Sequence, residues 1–275
     1  MKKNNEHFEN INSFDISVKY AELYADSPEN VNVSHAHEEC EIYINLSGDV
    51  SFIVENNIYF IKPGDIIITR PHEYHYCVYH SNKLHKHFWI LFSPSNNEHL
   101  YDVFFDRKKG NSNHVALSAE DTETLISVCH KMTTKEPSQI KKYYNFFKLI
   151  NILQNAEFVK GTKENYMADV SYAIKYINSH LSEPISIREI AKNAYVSINT
   201  LERHFMQTLK ISPSEYIRSK RLTNAKKLLS IGYTVAEASS QSGFSDYSHF
   251  IALFKETYGL TPLKYKKSML KDYSK

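Results

Sequence analysis

The sequence predicts an α+β protein of two domains, an N-terminal antiparallel β-barrel of jelly-roll type with helices and a C-terminal all-α domain. Three observations predict this class. Short strand-like segments separated by turn residues occupy the first third of the chain, and a helix-turn-helix pattern occurs twice in the last third. The length of 275 residues and the 42% hydrophobic composition suffice for two hydrophobic cores.

Seven segments between residues 14 and 92 are predicted to be short strands. They cover residues 17–24, 41–46, 50–55, 58–61, 65–69, 74–79 and 88–92. Turn signals such as Ser-Gly-Asp at 47–49 and Lys-Pro-Gly-Asp at 62–65 separate several of them. This spacing predicts a small antiparallel barrel over residues 1–117.

Two helices are predicted next, over residues 118–133 and 138–158, within a helical segment that spans 118–159. The second helix carries a broad apolar face made of Ile140, Tyr143, Phe146, Phe147, Leu149, Ile150 and Leu153, with Gln154 in line with it. Such a face must be covered, either by the barrel or by a second copy of the chain. The polar residues 160–166 are predicted to be a linker to a C-terminal domain at 167–275.

The helix-turn-helix pattern covers residues 185–209 and again residues 234–257. Aligning the two copies brings Pro213 onto Pro262 with a shift of 49 residues, whereas ahead of the second helix of each copy the shift is 48. Two copies in this register are strong evidence for a repeated structural unit. The segment from Pro213 to Ser230 is predicted to be a long helix that joins them.

Local signals support the helices of both copies. Ser197 and Ser245 are expected to cap the second helix of each unit, and Gly243 suits a turn position with positive φ. Apolar residues recur at helical spacing and are expected to form a small core; in the first unit they are Ile187, Ile190, Ala191, Leu201 and Phe205. The outer face of 197–209 is then free to enter a DNA major groove.

The charge distribution agrees with a DNA-binding C-terminal half. Residues 166–275 contain 16 Lys+Arg against 9 Asp+Glu, whereas residues 1–165 contain 17 against 22. Phosphate attraction requires the basic half to be the one with the helix-turn-helix pattern. Cys40, Cys77 and Cys129 lack the spacing of a disulfide framework or zinc finger, and no apolar run suits a signal peptide or membrane span. We therefore expect a cytoplasmic protein.

The segment 167–275 resembles the DNA-binding domain of the AraC/XylS family of bacterial transcription regulators. The matching residues of the first unit are Ile190, Ala191, Ser197, Leu201, Arg203, Phe205, Ser212, Pro213, Tyr216 and Ile217. Those of the joining segment and the second unit are Arg221, Leu222, Ala225, Leu228, Leu229, Gly243, Phe244, Ser245, Asp246, Phe250, Phe254, Lys255, Gly259, Thr261 and Pro262. In that family the two units enter successive major grooves on one face of the DNA.

The resemblance implies which residues contact DNA. They are Ser197, Asn199, Thr200, Glu202 and Arg203 in the first unit, and Asp246, Tyr247, Ser248, His249 and Lys255 in the second. The guanidinium fork of Arg203 can bond a guanine at two atoms. The alternative is that these polar residues only form a solvated helix face.

The second unit departs from the family pattern, because Ala252 stands where the family usually has Arg, and Ala238-Ser239 replaces Ile-Ala. Lys210 replaces the usual turn Gly of the first unit. We therefore expect the second unit to depend more on phosphate contacts than on base readout. The phosphate partners predicted for the domain are Lys226, Lys227 and Lys255.

The N-terminal part resembles the two cupin motifs. The matching residues are His35, His37, Glu41, Gly48, Pro63, Gly64, Asp65, Pro71, His72, Glu73, Tyr74 and His75. In cupin enzymes the matching set of three histidines and one glutamate holds a divalent metal, which implies His35, His37, Glu41 and His75 as ligands here. The same side chains could instead hydrogen-bond a polar small molecule, and no other cofactor is expected.

His87 and Trp89 match positions that line the sugar pocket in the arabinose-responsive member of the AraC family. An indole face stacks well on a sugar ring, and neighbouring imidazole and phenol groups can bind its hydroxyls. The alternative is that Trp89 is an ordinary core residue and His87 lies on the surface. The effector site predicted by both resemblances consists of His35, His37, Glu41, His75, His87 and Trp89.

These patterns predict a non-enzymatic, sequence-specific transcription regulator controlled by a small-molecule effector, with a sugar or sugar derivative favoured. The family's habits imply a homodimer formed through the 118–159 helices and activation through RNA polymerase. No membrane partner is expected. A metal-dependent cupin enzyme or a metal sensor fused to a DNA-binding domain is the alternative, supported by the four metal-ligand residues.

Overall fold

The computed structural model describes residues 15–24, 36–94, 98–133, 138–159 and 167–272. The strands within these ranges are β1 (Ile16–Leu23), β2 (Cys40–Asn45), β3 (Val50–Val54), β4 (Asn57–Ile61), β5 (Ile66–Thr69), β6 (His75–Tyr79), β7 (His85–Phe92), β8 (His114–Ala116) and β9 (Glu157–Phe158). They form an antiparallel sheet of order β1-β7-β2-β5-β8-β9 and a smaller one of order β4-β3-β6. The predicted barrel is therefore an open sandwich of two facing sheets.

Alternation along the strands of the large sheet separates two apolar layers. Ile42, Ile68 and Ile90 lie in the layer that packs on the helices. Tyr43 and Ile67 point the other way, into a cluster with residues of the small sheet. Strand β7 begins at His85, three residues earlier than predicted, because its first residues pair with the end of β1. The interior between the sheets is where the predicted effector residues belong.

Three helices follow the large sheet: α1 (Asp102–Phe105), α2 (Ala119–Thr133) and α3 (Gln139–Gln154). The predicted extension of the third helix to residue 158 is wrong, since Phe158 pairs with Val115 of β8 and adds a short strand to the sheet. Buried side chains of α3, namely Phe146, Leu149, Ile150 and Leu153, cover the sheet. Ile140 and Tyr144, in contrast, are 81% and 69% exposed.

The C-terminal helices are α4 (Ala168–Ser179), α5 (Ile187–Asn193), α6 (Ile198–Leu209), α7 (Pro213–Ser230), α8 (Val235–Gln241), α9 (Tyr247–Tyr258) and α10 (Pro262–Asp272). Helices α5 and α6 form one helix-turn-helix unit, α8 and α9 the other, and α7 joins them with the predicted bounds. Of the five residues predicted for the first core, four are buried and Ile187 is half-buried. The segment predicted to be a linker, 160–166, lies outside the described residues.

The caps of the two recognition helices differ. Ser197 accepts a hydrogen bond from the Thr200 backbone N–H at 3.0 Å, as predicted. The prediction for Ser245 is wrong: Asp246 caps α9, accepting from the His249 N–H at 2.9 Å. Five residues separate α8 from α9, against four between α5 and α6, so the additional residue moves the cap one position along the chain.

Gly243 is required for two reasons. Its φ of 83° lies in the left-handed region, as predicted, and an added Cβ would collide with the Leu181 carbonyl oxygen and approach the Arg221 side chain. Where α6 ends, Lys210 adopts a left-handed φ of 58°, whereas Gly259 has 73° at the end of α9. The first unit therefore places a strained lysine where the second has a glycine.

The outer face of the small sheet packs against α4 and α7. Ile53, Tyr76 and Val78 form one buried cluster with Ile174 and Tyr216. This contact brings the two domains together through apolar side chains. Among the described residues, none of the helices is long and apolar enough to cross a membrane.

Candidate functional site

A cluster of acidic and imidazole side chains lies at one end of the interior between the sheets. The Glu41 Oε2 atom is 3.0 Å from His37 Nε2 and 3.0 Å from His75 Nε2. Glu41 and His75 are buried, and His37 is half-buried. The structure thus brings together three of the four predicted metal ligands; the fourth, His35, lies outside the described residues.

Local charges keep Glu41 and His37 ionised. Burial alone would raise the pKa of the Glu41 carboxyl, but His75 and His37 hold it well below its usual range. Burial would lower the pKa of His37, yet hydrogen bonds to Glu39 and Glu41 raise it to about 9. The cluster therefore contains a buried carboxylate beside an imidazolium, which suits recognition of a strongly polar ligand.

The same three residues have the donor chemistry of a transition-metal site. Their ligand atoms lie within 4.8 Å of one another. The His75 Nδ1 atom is 2.7 Å from the Glu73 carbonyl oxygen and that of His37 is 3.1 Å from the Glu39 carbonyl oxygen, so both Nε2 atoms face Glu41. Metal-binding histidines are usually oriented by such carbonyls. Two imidazoles and one carboxylate fit a divalent ion such as zinc or iron.

The wall of the interior that β2 and β7 form carries aromatic side chains beside Glu41. His87 stacks on Tyr43 at 4.8 Å between ring centroids, and Tyr43 is paired across strands with Trp89. His87 is buried, and its Nδ1 has no hydrogen-bond partner among the described residues. Burial lowers the pKa of His87 to about 4, so the ring is neutral and can both donate and accept.

The structure excludes one alternative left open for this strand, a surface position of His87. His87 does not lie on the surface, because only 3% of it is exposed. Trp89 is half-buried on the inner face, whereas Phe88 and Ile90 beside it belong to the core under the helices. Both side chains therefore line the interior. Thr69 lies on the neighbouring strand β5, directly across from Glu41.

The predicted DNA contacts lie on the surface of the two helix-turn-helix units. Nine of the ten are exposed, namely Ser197, Asn199, Glu202, Arg203, Asp246, Tyr247, Ser248, His249 and Lys255, and Thr200 is half-buried. Two of them, Ser197 and Asp246, serve as helix caps. Arg203 lies on the exposed face of α6, and its Nη2 is 3.4 Å from His204 Nε2.

One predicted phosphate partner is engaged elsewhere. The Lys226 ammonium donates to the Ala36 carbonyl oxygen at 3.3 Å and lies over the ring of Tyr258 at 5.2 Å. It belongs to the contact between the domains, and its role as a phosphate contact stays a prediction. Lys227 is half-buried beside the same contact, whereas Lys255 is exposed on α9.

Two groups of polar contacts, one at Glu55 and one at Asp169, escaped sequence reasoning because each joins residues far apart in the chain. Glu55, in the turn between β3 and β4, lies 2.9 Å from Lys220 on α7 and 2.9 Å from Lys109. Asp169 on α4 lies 2.7 Å from His204 on α6. The sequence signal was a charged residue on the apolar side of each helix, at position 220 and at position 169.

Comparisons with known proteins match both parts of the chain. A model described as "AraC-like ligand binding domain" matches residues 22–132, and a model described as "Helix-turn-helix domain" matches residues 190–268. The chain is similar to the uncharacterized HTH-type transcriptional regulator YbfI of Bacillus subtilis, with 26% identity over 78% of this chain and 80% of that protein. It is also similar to the HTH-type transcriptional activator RhaS of an Enterobacter species, with 23% identity over 83% of this chain and 85% of that protein.

Among solved structures, a transcriptional regulator with an AraC-type DNA-binding domain from Chromobacterium violaceum matches 37% of this chain and 91% of its own, with 28% identity and a TM-score of 0.35. ToxT from Vibrio cholerae O395 matches 94% of this chain and 98% of its own, with 17% identity and a TM-score of 0.37. The two family models together account for both the polar interior and the paired helix-turn-helix units. The chain belongs to the AraC family of transcriptional regulators, with an N-terminal ligand-binding domain and a C-terminal DNA-binding domain.

Proposed function

We propose that this regulator responds to a small polyhydroxylated molecule, a sugar or sugar derivative, bound between its two sheets. The observation that carries the proposal is the buried, neutral His87 ring, whose Nδ1 has no partner among the described residues, beside the faces of Tyr43 and Trp89. Aromatic faces stack on the C–H surface of a sugar, and imidazole groups bind its hydroxyls. Glu41, two residues before Tyr43 on β2, would accept further hydroxyl hydrogen bonds.

A metal sensor is the second candidate, favoured by the geometry of His37, Glu41 and His75. An ion held there would act as a Lewis acid or would stabilise the fold of the domain. A cupin enzyme would use the same ion, with the C-terminal domain localising it to DNA. The regulator without catalysis remains our proposal, because the relatives are named as transcriptional regulators.

Elemental analysis of the purified chain, together with a thermal-shift screen of sugars, separates the two candidates. The matched variant is His37→Ala. A sugar that raises the melting temperature, with no stoichiometric metal, is the result we expect. One metal per chain that is lost in His37→Ala would overturn the sugar proposal and support the metal sensor.

For DNA, we propose that Arg203 reads a guanine through two hydrogen bonds in the major groove and that the second unit contributes mainly phosphate contacts. The exposed position of Arg203 on α6, and Ala252 at the matching position of α9, support this division. Removal of the Arg203 side chain should then weaken sequence discrimination at one base pair. Loss of Lys255 should weaken binding to all sequences and lower its salt dependence.

The ligand would act by shifting the population of domain arrangements. The contact between the domains supports this route, because Val54 of β3 pairs with His75 of the cluster and Glu55, the next residue, binds Lys220 on α7. Tyr74, the neighbour of His75, donates its N–H to Glu55 at 2.9 Å and carries the Lys220 ammonium 4.0 Å above its ring. A ligand that moves His75 would therefore strain this contact.

We further propose a cytoplasmic homodimer that activates transcription through RNA polymerase. The exposed Ile140 and Tyr144 on α3 are apolar surface that a second copy would cover. Activation is supported by the relatives named transcriptional activators. Two linked DNA-binding domains would also gain affinity at adjacent sites.

A further inference from the structure

His204 lies between Arg203 and a buried carboxylate. Its Nδ1 is 2.7 Å from Asp169 Oδ2, and its Nε2 is 3.4 Å from Arg203 Nη2. Since a carboxylate only accepts, the proton of a neutral ring lies on Nδ1, and Nε2 is left to accept from the guanidinium. A chain of three groups thus runs from the first turn of α4 to the exposed face of α6.

The second unit has a different arrangement at the matching positions. With the shift of 49 residues, Arg203 corresponds to Ala252 and His204 to Leu253. Leu253 is buried in an apolar cluster that includes Leu222 of α7. The fold therefore accepts a leucine at this place in the helix.

Packing alone does not account for the polar pair in the first unit. Asp169 is only 6% exposed, and burying a carboxylate costs free energy that an apolar side chain would not. Among the described residues, the polar pair occurs in the unit whose recognition helix carries the arginine. The first unit thus differs from the second in carrying an exposed arginine together with the polar pair that contacts it.

We propose that Asp169 and His204 are positioning residues that orient the Arg203 guanidinium for its contact with one guanine. The inference rests on the proposed role of Arg203 in base readout. Bidentate contact requires the plane of the fork to match the base edge, so a held guanidinium loses less side-chain freedom on binding. His204 fixes one nitrogen of the fork, and Asp169 fixes the tautomer and orientation of His204.

The test uses the full chain and duplexes selected by the wild-type protein from a randomised library. Binding to the selected duplex is compared with binding to each single base-pair variant. The test variant is the double substitution Asp169→Ala with His204→Leu, which copies the apolar arrangement of the second unit. Single His204→Leu is avoided because it would leave the Asp169 carboxylate buried without its imidazole.

We expect Arg203→Ala to lower discrimination at one base pair by about 10-fold or more. The apolar double variant should lower discrimination at that same base pair by between about twofold and tenfold, the cost of ordering a free side chain. Discrimination at the other base pairs and the salt dependence of binding should be unchanged in the double variant. In the Arg203→Ala background the double variant should have no further effect on discrimination.

Three results would overturn the inference in distinguishable ways. Wild-type discrimination in the apolar double variant, with loss in Arg203→Ala, would reject the positioning role and leave the role of Arg203 intact. If Arg203→Ala relaxed none of the base pairs, the recognition surface itself would be wrong. An equal loss at all base pairs together with a lower unfolding midpoint would assign Asp169 and His204 to stability instead.

Discussion

At the scale of single residues, Glu55 connects the sensor domain to the DNA-binding domain. Its carboxylate binds two lysines. Lys220, on the DNA-binding domain, is buried, and Lys109, on the same domain as Glu55, is exposed. Breaking a buried pair leaves an uncompensated charge, which typically costs about 3 to 5 kcal/mol, whereas an exposed pair is worth about 1 kcal/mol or less. The two lysines therefore differ in importance although their distances to Glu55 are equal.

Glu55→Gln should lower the free energy of unfolding by about 3 kcal/mol, because Lys220 loses its counter-ion. Lys109→Ala is the matched control and should lower it by less than about 1 kcal/mol. Urea unfolding measures both. Equal effects of the two substitutions would show that the buried pair does not stabilise the contact between the domains.

The Glu55 carboxyl also predicts a pH dependence. Burial alone would raise its pKa, but Lys220 and Lys109 lower it to about 2, below the ordinary value of 4.5. A depressed folded-state pKa gives stability that is present above pH 4.5 and is lost as the pH falls toward 2. The difference in unfolding free energy between wild type and Glu55→Gln should therefore shrink between pH 5 and pH 2.5. A constant difference over that range would contradict the assignment.

Lys210 predicts a stabilising substitution. Its left-handed φ of 58° strains a residue with a Cβ, so Lys210→Gly should raise the free energy of unfolding by about 1 kcal/mol. The reverse control is Gly259→Ala at the end of α9, where a Cβ meets nothing within 4 Å and only the backbone conformation is tested. Gly259→Ala should lower the free energy of unfolding by a similar amount. A lower free energy of unfolding in Lys210→Gly would mean that the lysine side chain stabilises the first unit.

At the scale of elements, sequence patterns predicted the strands and helices that are governed by local signals. The turn signals ahead of β3 and β5 and the Pro213 start of α7 needed no tertiary information. The end of α3 and the cap of α9 depended on more, namely a strand pairing with β8 and one additional residue in a turn. Local propensity cannot contain a partner that lies elsewhere in the chain.

Helix α3 carries the prediction about assembly. Its buried residues cover the sheet, and Ile140 and Tyr144 remain on the surface. Ile140→Lys with Tyr144→Lys should convert the proposed dimer to a monomer in analytical ultracentrifugation without lowering the melting temperature. The control is Glu123→Lys on α2, outside this apolar patch, which should leave the mass unchanged. A wild-type monomer at micromolar concentration would reject the dimer interface.

At the scale of the whole molecule, the effector residues were found by resemblance and their arrangement by the fold. The cupin resemblance grouped His37, Glu41 and His75, and the sandwich brings their nitrogen and oxygen atoms together. It did not predict that the small sheet lies against α4 and α7, because that contact is formed by Ile53, Tyr76 and their partners across more than a hundred residues. This contact joins the small sheet, which forms one wall of the interior, to the DNA-binding domain.

The central claim is that a ligand between the sheets controls DNA binding. Its most direct test measures the affinity of the full chain for its selected duplex with and without a sugar that stabilises the protein, in wild type and in His87→Ala. We predict that the sugar changes the affinity of the wild type and leaves that of His87→Ala unchanged, while both bind DNA equally without sugar. An equal response of the two proteins, or no response in the wild type, would contradict the account.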